Sequence, residues 1–253
     1  PFFAQQPLQS PTWVLTACWN GPWHRVSRDK KRPQAPFSGC LERFDLDRLL
    51  SYGRLPGGLL MLNWPLDGND WHEDPSACLC SNEPRARRQL EAMADHSRSF
   101  LAALQDLSGP QLQDSQAYPG GSLALQPYWR ESRRLIGQTT VSELMLLPGF
   151  TGDDLSTAVA VGNYANDHHY PGDDWHLEPK QQVWGGRISG TPFTIPLAAL
   201  HGSDAANLLL AEKGFSVSHI ANGATRLAPL LLQIGQAAGA TAAICHQRPC
   251  LPA

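Results

Sequence analysis

The sequence predicts a fold that combines strands and helices, in the α/β to α+β range, and three observations carry that prediction. Short apolar segments bounded by Gly, Pro and Asn read as strands, one long amphipathic pattern after Pro84 reads as a helix, and a Gly/Ala-rich helical run follows Pro229. A chain of 253 residues can bury a sizeable core, as one large domain or two small ones.

Thr12–Trp19 and Gly57–Trp64 suit buried strands, with Gly21–Gly39 between them as an exposed, Pro-punctuated loop. The long helix is capped by Asn82 or Ser81 and takes Pro84 in its first turn. Its face is Leu90, Met93, Ala94, Ser97, Leu101 and Leu104, and Ser108-Gly109-Pro110 ends it. Leu123–Ile136 and Ala158–Tyr164 read as strands, and Pro192–Leu200 as a shorter one. Asn207–Ala211 reads as a strand covered on both faces. The last helix carries Leu231, Ile234, Ala238 and Ala242, with Gly235 and Gly239 four apart, a spacing that lets a helix lie close against a sheet or a cofactor.

Composition excludes several classes. Apolar residues make up 42% and charged residues 17%, which argues against disorder. A net charge of −3 gives no pull toward nucleic acid or anionic lipid, and the basic runs at Arg28–Arg32 and Arg85–Arg88 read as solvated surface. Six irregularly spaced cysteines and no signal peptide point to reduced thiols in the cytoplasm rather than a disulfide scaffold. Leu227–Cys245 contains Gln233 and Gln236, and reads as a buried soluble helix rather than a membrane span. The chain opens on Pro1 and runs at once into a strand, as a fragment or processed product would.

No G-x-G-x-x-G, Walker loop, G-x-S-x-G elbow or H-E-x-x-H occurs. Three clusters stand out instead. In Tyr128-Trp129-Arg130-Glu131-Ser132-Arg133-Arg134, a strand would place Arg130, Ser132 and Arg134 on one face, either salt-bridged to Glu131 and Glu143 or contacting substrate or cofactor. In 162–170, a strand ends in Asp167-His168-His169, with Asp173, Asp174 and His176 behind. That loop suits a catalytic histidine, a metal site or plain structure, although adjacent histidines make poor ligand pairs. In 216–229, a strand and polar loop lead into a helix N-terminus, which is either an anion site or an ordinary connection with Thr225 as cap.

Together these clusters resemble a family of FAD-dependent oxidoreductases with Y-x-R-E-S-R-R, G-S-Y-x-x-D-x-H and N-L-L-x-A-G-R…S-x-x-H…R-x-x-P…G-Q-A-A-G motifs. Tyr128–Arg134 matches throughout. Gly162, Tyr164, Asp167 and His169 match the second motif, with Asn163 for its serine. Asn207-Leu208-Leu209, Ala211, Ser216, His219, Arg226, Pro229 and Gly235–Gly239 match the third, but Ala211-Glu212-Lys213 replaces A-G-R. Gly185–Leu200 resembles the family's I-P-Y-R-S-L region, and the likeness is strongest over residues 120–246.

The resemblance implies a mixed sheet that completes an FAD-binding domain over residues 151–253, with a substrate-facing region over 1–150. The N-terminal Rossmann βαβ unit is absent from this chain, so flavin retention by the chain alone is expected to be poor. It implies FAD contacts from Ala211, Glu212, Lys213, Ser216, Arg226, Leu227, Pro229 and Leu230. Substrate contacts would come from Arg130, Arg134 and Asn222, and catalysis from His169, His219 and Arg226. The helix starting near Pro229 would face the pyrimidine edge of the flavin. The activity implied is dehydrogenation of a small molecule. Two other readings stay open: a metal-dependent hydrolase or oxygenase using Asp167, His168, His169 and His176, and a non-catalytic interaction module derived from a flavoenzyme. The leading reading places no metal in the histidine-rich loop, and makes the missing dinucleotide-binding region the chain's partner.

Overall fold

The computed structural model describes residues 8–21, 36–64, 67–79, 82–147, 150, 155–169 and 192–252. Two compact units part between Trp129 and Arg130, inside the Tyr128–Arg134 motif: Ser10–Trp129 is one, and Arg130 onward with Pro1–Gln9 is the other. The basic run at Arg28–Arg32, Ser81, Cys80, and Asp173, Asp174 and His176 lie outside the described residues, as does most of Gly21–Gly39 and of Gly185–Pro192.

In the Ser10–Trp129 unit, β1 (Leu15–Trp19) is the central strand of a three-stranded antiparallel sheet, between β2 (Leu59–Leu62) and β3 (Leu112–Asp114). Ala17 stands opposite Leu60 on one side and Asp114 on the other. Two short helices precede β2, α1 (Ser38–Arg43) and α2 (Leu46–Tyr52). The sequence reading assigns neither, because six or seven residues are too few to display a helical period. Asp45 caps α2 by accepting a 2.7 Å hydrogen bond from the Arg48 N–H.

The long helix, α3 (Glu83–Ser108), forms as its pattern requires. Asn82 accepts from the Arg85 N–H at 3.2 Å, Pro84 sits in the first turn, and Gly109 takes a positive φ to end the helix. Its inner face buries Met93, Ala94, Ser97, Phe100, Leu101 and Leu104, and Phe100, Leu101 and Leu104 join a core with Leu15, Ala17, Leu60 and Leu62. Each large side chain so buried contributes about 1.5–3 kcal/mol. Asn69 ties the 67–71 segment to this core: its Oδ1 accepts from the Trp64 N–H at 2.8 Å, and its Nδ2 donates to the Leu62 and Trp13 carbonyls.

His96 on α3 introduces a pH dependence. Its Nε2 donates to the Gly68 carbonyl at 3.0 Å. Burial, aided by nearby His72, holds its pKa below the ordinary 6.5. The unfolded chain therefore takes up this proton first as pH falls. The contribution to stability is complete above about pH 6.5 and is lost as pH drops toward the depressed folded value. Denaturant melts across that range should show stability falling on acidification, and His96→Gln should flatten the slope. An unchanged slope in the variant would assign the effect to other groups.

The second unit holds a two-stranded antiparallel sheet, β4 (Ala158–Gly162) with β5 (Phe193–Pro196), and two helices, α4 (His219–Thr225) and α5 (Ala228–Gln247). Its core joins Phe193, Ile195, Leu200, Phe215, Val217, Ala221, Leu230 and Ile234. Gln233 on α5 donates to the Val161 carbonyl and accepts from its N–H, both at 3.0 Å, so the helix docks on β4.

The sheets among the described residues are antiparallel, with one parallel bridge at Val141 and Val217, so the fold lies at the α+β end of the expected range. Four local expectations are corrected. Leu123–Ile136 is not a strand. Leu123 and Tyr128 make isolated bridges, and the chain then bends at Arg130, with Arg130 and Glu131 both buried instead of alternating. Pro127, which has no N–H to donate, interrupts any ladder there. Asn207–Ala211 is not a doubly covered strand: a turn precedes it, only Leu209 makes a bridge, and Leu208 is 44% exposed. The connection at 216–229 contains a helix of its own, α4. Ser218 caps α4, and Leu227 rather than Thr225 occupies the cap position of α5. Finally, α5 is buried only along Leu230, Ile234 and Ala238, while Leu232 is 74% exposed and Ala242 is exposed. By length and composition α5 is long and apolar enough to cross a membrane.

Candidate active site

The site is built where α4 meets the 163–169 segment, in the second unit. Ser218 starts α4: its hydroxyl accepts from the Ala221 N–H at 3.1 Å and donates to Glu143 Oε2 at 2.7 Å. The helix is buried on nearly every side and carries His219 and Asn222 inward. Gly223 lets the 163–169 segment lie against it. A Cβ there would overlap Asn166 Oδ1 and stand 3.0 Å from the His168 nitrogen, and the Asp167 N–H donates to the Gly223 carbonyl at 3.2 Å.

Three sequence-derived clusters converge here. Glu131, from the first, is wholly buried and places Oε1 2.7 Å from His219 Nδ1. His219 Nε2 lies 3.0 Å from His168 Nε2, with the two rings at 80°. Gln9 closes the cluster: its backbone N–H donates to Glu131 Oε1 at 2.5 Å, its side-chain Nε2 donates to Asn222 Oδ1 at 2.7 Å, and its side-chain Oε1 accepts from the His169 N–H at 3.2 Å. Asn222 Nδ2 and Asn166 Oδ1 are buried without a hydrogen-bond partner.

Two arginines set the charge balance. Arg134 donates to the Val217 carbonyl at 3.1 Å and stands 3.6 Å from Glu131 Oε2. Burial lowers its pKa and the Glu131 carboxylate opposes that; a guanidinium stays protonated under both influences. Arg226, directly between α4 and α5, donates to the Asp167 carbonyl at 2.7 Å and lies 3.2 Å from Asp167 Oδ2. That carboxylate is also 3.3 Å from His169 Nε2.

The structure thus brings His169, His219, Arg226, Arg134 and Asn222 into one network, with Arg130 fully buried beside Glu131. Other expected contact residues lie apart from it. Ala211 and Glu212 are exposed, Lys213 pairs with Glu212 at 3.6 Å, and the Ala211 carbonyl is beside Gly235 of α5. Ser216 is buried and shares a 2.9 Å hydrogen bond with Thr140. Leu227 and Pro229 form the start of α5, and Leu230 is in the core. Among the described residues no group of three or more His, Cys, Asp and Glu side chains is arranged to hold a metal ion. His168 and His169 point to different partners, His219 and Asp167.

Sequence reasoning missed Gln9, which carries no signal, and gave Glu131 only a structural role. A glutamate flanked by arginines in an apolar segment was its one visible sign. It also missed Ser218 and Gly223, which a serine three residues before Ala221 and a glycine inside a helical run do indicate.

A buried carboxylate, two imidazoles in contact and two arginines thus share one polar network just before the start of α5. The chain belongs to the FAD dependent oxidoreductase family, whose model matches residues 7–253, well beyond the stretch of strongest sequence likeness. No curated protein and no solved structure gave a match.

FAD is the cofactor of this family, and the start of α5 fits it. Leu227 offers no side-chain cap, the first turn holds no acidic residue, and Ala228 and Pro229 are exposed, so the positive end of the helix macrodipole is open to an electron-rich group.

Proposed function

We propose that this chain serves hydride transfer from a small organic substrate to FAD, with the α5 N-terminus toward the pyrimidine edge of the flavin and His219 or His169 accepting the substrate proton. The uncapped, acid-free start of α5 directly after buried Arg226 is the observation that carries this reading. Bound FAD supplies the hydride acceptor. The residues of this chain do the rest. The α5 terminus and Arg226 favour negative charge beside them. Arg130, Arg134 and Asn222 bind the substrate's polar groups. The histidines take the proton. Residues 151–253 complete the flavin site, in a cytoplasmic setting.

A helix terminus that stabilises negative charge binds the reduced cofactor more tightly than the oxidised one. Fluorescence or equilibrium-dialysis titrations with oxidised and dithionite-reduced FAD should show that order. Equal affinities would remove the α5 terminus from the flavin site.

A further inference from the structure

We infer that Glu131, His219 and His168 form a one-proton relay, in which Glu131 is a positioning residue that holds His219 as its Nδ1–H tautomer. The side chains of Glu131 and His219 are 0% and 3% exposed, and His168 is 1% exposed, so water does not compete for their contacts. An ionised carboxylate has no hydrogen to give, so the 2.7 Å contact requires the hydrogen on His219 Nδ1. Glu131 Oε1 also accepts from the Gln9 N–H, and the Arg134 guanidinium stands 3.6 Å from Oε2, so both oxygens face hydrogen-bond donors.

With Nδ1 protonated, neutral His219 presents a bare Nε2 to His168 Nε2 at 3.0 Å. Two lone pairs would repel at that distance and two N–H groups would collide, so one hydrogen lies between them, on His168 Nε2. A substrate proton passed to His168 Nδ1 can then release the Nε2 hydrogen to His219 Nε2, which is how His219 comes to accept it. No bond is left unbalanced: His168 ends neutral as its Nδ1–H tautomer, and the positive charge ends on His219 against Glu131. The other charged or titratable groups around these three side chains are Arg130 and Arg134 on the Glu131 segment, Asp167 and His169 on the loop, Arg226 after α4, and Glu143 at its cap. The catalytic meaning of the relay rests on the proton-accepting role proposed above, whereas its arrangement does not.

Long-range imidazole spectra of the full chain labelled with ¹⁵N-histidine test the arrangement without flavin. The expected result is a pyrrole-type Nδ1 on His219 and a pyrrole-type Nε2 on His168. A hydrogen on His219 Nε2 in the neutral form would overturn the relay. Glu131→Gln presents either an oxygen or an NH₂ to Nδ1, so His219 should change from one tautomer to a mixture; a single unchanged tautomer also overturns the positioning role. Should that variant not fold, the wild-type spectra decide. In the FAD-loaded enzyme Glu131→Gln should lower kcat for flavin reduction by roughly 10²-fold or more with little change in KM. Full activity alongside the expected spectra would overturn the proton-accepting role and leave the relay standing.

Discussion

Arg226→Leu is expected to slow substrate-dependent flavin reduction by roughly two to three orders of magnitude, the scale of removing one preorganised charge stabiliser. The guanidinium is 3% exposed and lies between α4 and the first turn of α5, where the helix dipole is already positive. It is also committed to Asp167, through both the carbonyl and the carboxylate. Removing it therefore costs stability as well. The Asp167 side chain is 44% exposed, so water can take over the carboxylate that Arg226 leaves. The expected loss is about 1.5–3 kcal/mol, below the 3–5 kcal/mol of a pair whose remaining charge stays dry. Thermal melts and stopped-flow reduction on one variant separate the two effects. Normal reduction kinetics in a normally folded Arg226→Leu protein would remove Arg226 from the site.

The same residues show how much of this site is legible in the sequence. The motif positions His169, His219 and Arg226 lie in one polar network, and each flanks an element with a clear local signal: the strand Ala158–Gly162, the cap Ser218, and Pro229 in a first turn. α3 was readable to its caps, since 26 residues give the period seven turns in which to show. The arginine cluster was misread for a physical reason. An alternating strand face was the only local hypothesis available, but Glu131 and Arg134 are fixed by partners far along the chain, His219 and Val217. Those partners hold adjacent residues buried against the period of two. Gln9 is the extreme case, because everything it bonds lies more than a hundred residues away. Long-range polar pairing leaves no periodic trace, and this site consists almost wholly of such pairs.

Gly223→Ala should disrupt the site by packing alone. Its φ is unexceptional, so the requirement for glycine is space rather than backbone conformation. An added methyl would overlap the buried Asn166 oxygen and press on the His168 backbone at 3.0 and 3.1 Å. The amide of Asn166 can turn aside, but the backbone of His168 can yield only by moving the segment that carries His168 and His169. Overpacking of this kind costs about 1–3 kcal/mol. It should also break the Nε2–Nε2 contact, visible as loss of the shared hydrogen in the imidazole spectra. Asn166→Ala in the same chain relieves the first clash and leaves the second, so the double variant should recover part of the stability but not the histidine contact. Denaturant melts of the two single variants and the double variant measure that coupling. A Gly223→Ala protein as stable as wild type, with its His168–His219 contact intact, would mean that the 163–169 segment does not rest on α4 as closely as described.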